Sequence, residues 1–421
     1  MKLLYITQWF EPEPILKGDQ FAKALAAKGH EVDVLSAFPN YPGGKLYEGY
    51  RLKLIQRERM EGYNLIRLPI YPSHNSNPVG RIANYLSFFA SVLFFGLLRG
   101  YKYDAVYVYH PPITPSVAAA IFCRLFNVPL ILDIQDLWPD SVVASSISGG
   151  RLGPTLSKVC NFVYRNCAHI ICQSEGMRRR LAERGVARQK LSRLYNWSTY
   201  QSASKSSPTP PAAITDMFEG YVNLVYGGNI GDAQSLRSVI DAVALAHKKN
   251  SDLRFHIVGD GIERERLQIY LADRHLDKVV KIHPPVERYM MDRIFDLADI
   301  LVLQLRNDPL FEITIPSKLQ HYMSCSKPIL AGLDGEARKL IYDSNSGIVT
   351  TPEDSAAMAE SLCQLLAMSC AERIALGEAG RRFYEKEMSF DNAVTFTEKK
   401  IREAVADTSL GSVDKGDSQT A

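Results

Sequence analysis

The sequence predicts two α/β domains built on parallel sheets, and three observations lead there. Short apolar runs of strand length alternate with helix-period patterns from one end of the chain to the other, as parallel strands joined by helical crossovers require. A length of 421 residues exceeds one ordinary core and suits two. Between the two series lies SASKSSPTPPAAIT, residues 202–215, a stretch rich in Ser, Pro and Ala that reads as a linker.

In the first series the strands are LLYIT, EVDVLS, LIRLPIY, AVYVYH, LILDI and HIICQS. Phe21, Ala24 and Leu25 keep helical spacing between the first two, and Gly29 stops that helix. The second series runs VNLVYG, RFHIVG, VVKIH, DILVLQL, KPILA and GIVT, and helices finish the chain from Ser355 to about Val405. The limits that follow are 1–201 for the first domain, 202–215 for the linker and 216–387 for the second domain. A terminal helix over about 388–406 is expected to return to the first domain, and 407–421 reads as a disordered tail. The two domains are expected to meet at a central cleft beside the linker.

Composition narrows the function classes. A hydrophobic fraction of 46% and a charged fraction of 23% belong to a soluble globular protein. Met1 to Thr7 reads as a first strand and not as a charged leader with a cleavage site, so secretion is not expected. Seven cysteines without metal-ligand spacing read as reduced thiols of a cytosolic protein. Residues 1–200 hold 24 basic against 14 acidic residues, a net of +10, and the remainder holds 25 against 32, a net of −7. A basic half suggests a face that meets an anionic surface. No nucleic-acid recognition motif is present, so anionic lipid and a phosphorylated acceptor fit better.

One segment breaks the soluble pattern. Tyr85 to Leu98 (YLSFFASVLFFGLL) is nearly all apolar and is bracketed by Arg81, Arg99 and Lys102. Fourteen residues are too few to span a bilayer, which takes about 20. Two readings stay open, a helix buried in the first domain and a monotopic helix with its apolar face in lipid. Arg51, Lys53, Arg57, Arg59 and the run Arg178 to Arg180 would add to such a basic surface.

The strongest chemical constellation is in the second half. VNLVYGGNIGDAQSLRSVIDAVALA reads strand, glycine turn, helix, with Leu236, Val239, Ile240 and Val243 on the buried face. Gly227, Gly228 and Gly231 allow a tight turn and a close ligand, and the helix start that follows suits phosphate. This is neither GxGxxG nor a Walker sequence. In DPLFEITIPSKLQHYMSCSKPILAG, Pro316 stands where a helix should start. Ser317, Lys318 and the N–H groups around them would then surround a diphosphate, with Glu312 and Gln320 flanking a sugar nucleotide. HIVGDG adds Gly259 and Gly261 at another strand end. All three segments lie at carboxyl ends of parallel strands, where open α/β sheets bind ligands.

Over nearly its whole length the chain resembles the retaining glycosyltransferases of family four. The opening LLYITQWFEPEP…KG…LAAKGHEVDVLSAFPNYP is similar to that family's first strand, donor-facing loop and second strand. PLILDIQDLWPDS resembles the DLWP segment of members that build bacterial capsule, O-antigen and colanic-acid-like polysaccharides. GGNIGDAQ and TIPSKLQ are similar to the fucosamine-transferring subset, whose acceptors are undecaprenyl-diphosphate-linked sugars. The resemblance implies a GT-B fold of two Rossmann-like domains. It implies transfer of a sugar, such as N-acetylfucosamine, from a UDP-sugar in preference to a GDP-sugar, to a lipid-linked saccharide at the inner face of the cytoplasmic membrane, with retention of configuration. No cofactor beyond the donor is expected.

Departures from the family pattern are informative. Its signature is two glutamates eight apart; Glu312 keeps the first, while Gln320, or His321 in an alternative alignment, holds the second place. Many members carry an Arg and a Lys just after the double-glycine turn, where this chain has Asn229 and Gln234. Lys318, Arg306 and backbone dipoles are therefore expected to supply more of the positive charge. In the first half, Gly18 resembles the glycine that approaches the donor phosphate, and Asp19 and His110 are acceptor-side candidates. Asp136 in QDLWPD is a catalytic candidate, with a helix N-cap or a partner for Arg as its structural reading. Trp138 and Pro139 read as holding that loop.

The implied mechanism has cations and helix starts stabilising the leaving diphosphate. Glu312 would orient the donor sugar, and the departing phosphate would take the acceptor proton. Lacking a convincing DxD-type pair, the chain is expected to work without a metal. Closure around the linker would exclude water. Two other classes remain, a sugar-nucleotide epimerase of the same architecture and a two-domain sugar-binding protein, the latter expected to carry a signal peptide.

Overall fold

The structure is a computed structural model, and it describes residues 1–73, 78–140, 153–199 and 215–417; every structural statement below concerns these. The chain divides into two compact units, Met1–Leu194 together with the chain from Ala393 onward, and Tyr195–Asn392. The division falls at Leu194/Tyr195, ahead of the Ser- and Pro-rich stretch, whose residues 202–214 lie outside the described residues.

The first unit contains β1 (Lys2–Ile6), α1 (Asp19–Ala27), β2 (Glu31–Ala37), β3 (Gln56–Arg59), β4 (Tyr63–Leu68), α2 (Pro78–Arg99), β5 (Ala105–His110), α3 (Ile113–Phe126), β6 (Leu130–Ile134), α4 (Gly153–Asn166), β7 (His169–Cys172), α5 (Glu175–Glu183) and β8 (Leu191–Arg193). Its sheet runs β3-β4-β2-β1-β5-β6-β7-β8, parallel throughout except for the antiparallel pair β3/β4. All six predicted strands are present, and each is a mostly apolar run because helices cover both faces of a parallel sheet. The edge strands β3 (QRER) and β8 (LSR) were not anticipated. Half of an edge strand faces water, so neither carries an apolar run.

The second unit contains β9 (Val222–Gly227), α6 (Leu236–His247), β10 (Leu253–Val258), α7 (Arg264–Asp273), β11 (Val280–His283), α8 (Arg288–Leu297), β12 (Ile300–Gln304), α9 (Pro309–Glu312), α10 (Ser317–Ser324), β13 (Ile329–Gly332), α11 (Gly335–Ser344), β14 (Gly347–Thr350), α12 (Ser355–Ala367) and α13 (Cys370–Glu387). Its all-parallel sheet has the order β11-β10-β9-β12-β13-β14, the six strands read from the sequence. Leu224 and Tyr226 pack with Val239, Ile240 and Val243 of α6 on one face, and Val225, Leu301 and Leu303 pack with Phe295, Leu319 and Tyr322 on the other.

The last helix, α14 (Phe390–Asp417), begins in the second unit and continues in the first, where Glu398 meets His30 at 3.2 Å. It extends to Asp417, so residues 407–417 are helical where a disordered tail was expected, and 418–421 lie outside the described residues. None of the seven cysteines is in a disulfide.

Helix α2 differs from the fourteen-residue reading. It has 22 residues, roughly 33 Å at 1.5 Å per residue, and the span Val79–Lys102 is long and apolar enough to cross a membrane. It nonetheless belongs to the first unit on one side. Asn84, Phe88, Val92 and Phe95 are buried, and Gly96 and Gly100 let the helix close onto Phe122 of α3. Its other side leaves Val79 73%, Phe94 69% and Leu98 57% exposed. The reading of a buried helix thus holds for the inner face, and the outer face is apolar and bare.

A Cβ at Gly96 would fall 2.1 Å from the Phe122 ring. Gly96→Leu should overpack this contact and lower stability by about 1–3 kcal/mol in urea unfolding. Unchanged stability would show that α2 does not close on α3 through Gly96.

Candidate functional site

In the second unit, the turns after β9 and β10 lie backbone against backbone. A Cβ on Gly259 (φ +153°) would sit 1.9 Å from the Gly228 carbonyl oxygen, and one on Gly261 (φ +156°) 2.2 Å from that of Ile230. No other residue allows both the positive φ and the approach. The Gly228 N–H donates to Val258 O at 2.9 Å and the Ile230 N–H to Asp260 O at 2.8 Å, so the two turns move as one piece.

Lys318 lies directly on this piece. A Cβ on Gly228 would fall 2.8 Å from Lys318 Cε and 3.3 Å from Nζ, and Nζ stands 5.0 Å from the centre of the Tyr226 ring. Burial pushes the Lys318 pKa down to about 8, and no carboxylate among the described residues pairs with it. Pro316 is the N-cap of α10, leaving the backbone N–H groups of Ser317 and Lys318 without helical acceptors. A largely buried ammonium without a counter-ion, beside free N–H groups and side-chain-free glycine backbone, is a place for an anion. Exposed Ser317 and exposed Glu312 belong to the same connection between β12 and α10.

Several predicted donor residues have other employment. Arg306 pairs with Asp232 and, at 3.3 Å, with Asp308, so its charge is balanced within the chain. Gln234 Oε1 accepts from Asn229 Nδ2 at 3.1 Å and from the Gly231 N–H at 3.0 Å, and the three hold the turn. A short 3-10 turn, Asp232–Gln234, separates the glycines from α6, so that helix does not open directly on them as expected. Gln320 is 1% exposed, and its amide nitrogen donates to Pro316 O at 2.9 Å and Ser317 O at 3.0 Å. It shapes the start of α10 from behind and does not flank a ligand. His321 lies 3.1 Å from the Ser198 hydroxyl and 3.2 Å from Asp292.

One positioning residue escaped the sequence reading. Glu353, at φ +61°, accepts from the Ser235 hydroxyl at 2.7 Å and from the Asn307 N–H at 2.9 Å, joining the loops after β9 and β12. Nothing in the local sequence marks it.

In the first unit Gly18 caps α1, but its neighbour is a carboxylate of the chain itself. Glu11 Oε1 accepts the Asp19 N–H at 2.8 Å and occupies the space a Gly18 side chain would need. Burial raises the Glu11 pKa. The expected approach of Gly18 to a donor phosphate is thus taken here by Glu11. Asp19 is also engaged, accepting from the Tyr63 hydroxyl at 2.8 Å and pairing with Lys23 at 3.1 Å.

Beneath this turn runs a buried ion pair, Lys17 with Asp133. Tyr107 Oη and Gln135 Nε2 also donate to the Asp133 carboxylate, each at 2.5 Å. The pair ties the segment before Gly18 to β6 and so to Asp136. A lone Asp inside the apolar strand LILDI was the available signal. Asp136 is exposed and has no hydrogen-bond or ion-pair partner among the described residues, and lost hydration raises its carboxyl above the usual range. The Arg in this region, Arg184, pairs with Asp140 instead. His110 is fully buried with both ring nitrogens unbonded among the described residues, and burial pushes its pKa down to about 3. It serves as neutral packing, edge-on to Trp138 at 5.8 Å. The Trp138 carbonyl accepts from Tyr164 at 2.9 Å and Arg184 at 3.1 Å, which holds that loop.

Comparison with known proteins follows the same two halves. Residues 19–197 match the family described as glycosyl transferase 4-like domain, and residues 222–368 match glycosyl transferases group 1. The chain is 27% identical over 312 residues to an Escherichia coli (strain K12) protein named as colanic acid biosynthesis glycosyl transferase WcaI, covering 71% of this chain and 74% of that one. A Pseudomonas aeruginosa protein named as glycosyltransferase WbjE is 21% identical over 248 residues, covering 56% of this chain and 60% of that one. Among solved structures, Anabaena Alr3699/HepE in complex with UDP superposes with a TM-score of 0.68 at 16% identity, covering 97% of this chain and 100% of that one. WaaG, described as a glycosyltransferase involved in lipopolysaccharide biosynthesis, gives 0.63 at 16% identity, covering 95% and 99%. The structural likenesses speak for the fold, and the two family matches, which together take in most of the chain, for the lineage: the chain belongs to the family-four glycosyltransferases of GT-B fold.

Proposed function

We propose that this enzyme transfers a sugar, such as N-acetylfucosamine, from a UDP-sugar to an undecaprenyl-diphosphate-linked saccharide during bacterial surface polysaccharide synthesis. The reaction runs with retention of configuration, without a metal, at the cytoplasmic face of the membrane. The observation that carries the donor assignment is Lys318, a half-buried cation lacking a counter-ion among the described residues and seated on the Gly228 turn. The names of the relatives support the polysaccharide setting, and solved structures of HepE with UDP and with UDP-glucose support the donor class. The matched families and relatives are glycosyltransferases, which sets aside the epimerase reading. The bare apolar face of α2 and the net charge of +10 in residues 1–200 support an anionic membrane as partner.

Each residue has a distinct task in this reading. Negative charge grows on the β-phosphate as the sugar leaves, and Lys318 with the Ser317 and Lys318 N–H groups stabilises it. These groups do what a divalent ion does in other transferases. Glu312 accepts from donor-sugar hydroxyls and fixes the sugar's orientation. Asp136, unpartnered and with a raised pKa, accepts from the acceptor hydroxyl. The departing phosphate receives the proton on the face from which the acceptor attacks.

Assays with a panel of nucleotide sugars, with and without polyprenyl-diphosphate-sugar, test the activity; donor turnover independent of any acceptor would overturn it. Lys318→Ala should lower kcat/KM by roughly 2–4 kcal/mol and weaken UDP binding. Glu312→Gln should leave UDP affinity in place and reduce transfer, as should Asp136→Asn. Loss of UDP binding in Asp136→Asn beside a silent Lys318→Ala would reverse the assignment of donor and acceptor.

A pH profile supplies an independent check. Lys318 is charged below its pKa of about 8 and neutral above it. Calorimetric UDP affinity should therefore hold near neutral pH and fall as pH rises past this value, the fall shifting upward as bound phosphate favours the ammonium. Lys318→Arg should flatten the alkaline limb, and an identical limb in that variant would exclude Lys318 as its source.

A further inference from the structure

At the end of the first unit away from the Gly18 turn lies a cavity of about 420 Å³ that none of these roles uses. It forms where the amino ends of β1 and β2, the edge strand β3 and the last turn of α2 come together. Arg57 and Arg59 reach it from β3, and Arg99 and Lys102 from the end of α2 and just beyond. The acids around it are already engaged. Glu31 pairs with Lys2 and Glu58 with Arg67 at 3.1 Å, while Asp33 accepts from the neutral Tyr103 Oη and Asn64 Nδ2, each at 2.8 Å, and offsets one of the remaining cations without pairing with it. Arg57, Arg59, Arg99 and Lys102 thus have no ion-pair partner among the described residues. Four like charges around one cavity repel one another, and an anion between them reverses the sign of that interaction.

A plainer explanation covers part of this. β3 is an edge strand, and charged side chains on an edge discourage pairing with another sheet. That explains Arg57 and Arg59. It does not explain Arg99 and Lys102, which converge on the same cavity from a helix. Nor does it explain the neighbouring surface, where Phe94, Leu97, Leu98 and Tyr101 stand exposed on the same end of α2. A small soluble anion would use the cations and have no use for the apolar side chains. A phosphate carrying acyl chains uses both.

We propose that this cavity is a head-group site for an anionic phospholipid of the bilayer. The phosphate lies among Arg57, Arg59, Arg99 and Lys102 while Phe94, Leu97, Leu98 and Tyr101 enter the acyl boundary beside it. The site rests on the membrane partner proposed above and makes that partner's contact specific. It is separate from the acceptor side. The other end of α2 is tied through Asn84 to Gln8 and Asn40, in the loops that follow β1 and β2. A lipid bound at the cavity is therefore an anchor and not the substrate.

Partitioning of the full chain onto vesicles of phosphatidylcholine, alone and with phosphatidylglycerol, tests this. Wild type should bind only the anionic vesicles, and less so at high salt. The variant Arg57→Lys/Arg59→Lys/Arg99→Lys keeps every charge but loses the planar, bidentate guanidinium contact with phosphate, and should bind them about tenfold more weakly. Arg178→Lys/Arg179→Lys/Arg180→Lys, altered equally on α5, should bind as wild type does. If the two lysine variants bind alike, the basic surface acts diffusely and the head-group site is wrong while the membrane partner stands. If wild type fails to bind anionic vesicles, the membrane partner and the site fall together.

Discussion

Two lysines drawn out of water, Lys17 fully and Lys318 in part, one answered within the chain and one not, determine how this structure divides its labour. An ammonium taken out of water needs either a counter-ion or a reason to lack one. Lys17 has Asp133, with Tyr107 and Gln135 closing the remaining positions around that carboxylate, so the first unit carries a completed network. Among the described residues Lys318 has the face of Tyr226 and the backbone of Gly228 and no carboxylate. The second unit thus holds a cation that its own chain does not answer. Gly259 and Gly261 let the two turns beside it close backbone on backbone, and Gly228 leaves room for the Lys318 side chain.

The fold was legible wherever burial wrote itself into the sequence. Ten strands lie inside their sheets, and each reads as a short apolar run flanked by turn residues; the edge strands β11 and β14 keep enough apolar residues to be read as well. β3 and β8 escaped because their edge positions come with polar sequences, and Gln-Arg-Glu-Arg resembles a polar loop. Helix α2 was recognised only over its most apolar part. Its first two turns, from Pro78, include Arg81 and Asn84, and Asn84 is buried through hydrogen bonds to residues 40 and 71, which no local pattern announces.

The site was legible for backbone features and poorly legible for side-chain partners. Glycine spacing and the Pro-Ser-Lys helix start are local, so Gly228, Gly259, Gly261, Ser317 and Lys318 could be placed from sequence alone. Arg306 was assigned to the donor because its partner Asp232 lies 74 residues away, and the ion pair exists only in the folded chain. Gln320 was assigned by spacing from Glu312, yet it faces the core because α10 turns that position inward toward Leu319, Tyr322 and Met323. Glu353 and Asp133 also act through distant contacts, to Ser235 and to Lys17.

The same reasoning separates two helix starts by the charge each already holds. Both α1 and α10 present N–H groups at the carboxyl end of a parallel sheet, and by position alone either would serve. At α1 the carboxylate of Glu11 already accepts the Asp19 N–H and lies against Gly18. A phosphate arriving there would meet a like charge, and the field of the helix start is already satisfied. At α10 no carboxylate among the described residues accepts from the Ser317 or Lys318 N–H groups, and Lys318 adds a full positive charge to the partial charge of those groups. Charge balance therefore leaves the start of α10 the more open of the two to an anion. Burial raises the Glu11 pKa, so as pH falls this carboxylate gives up its charge earlier than an exposed one does.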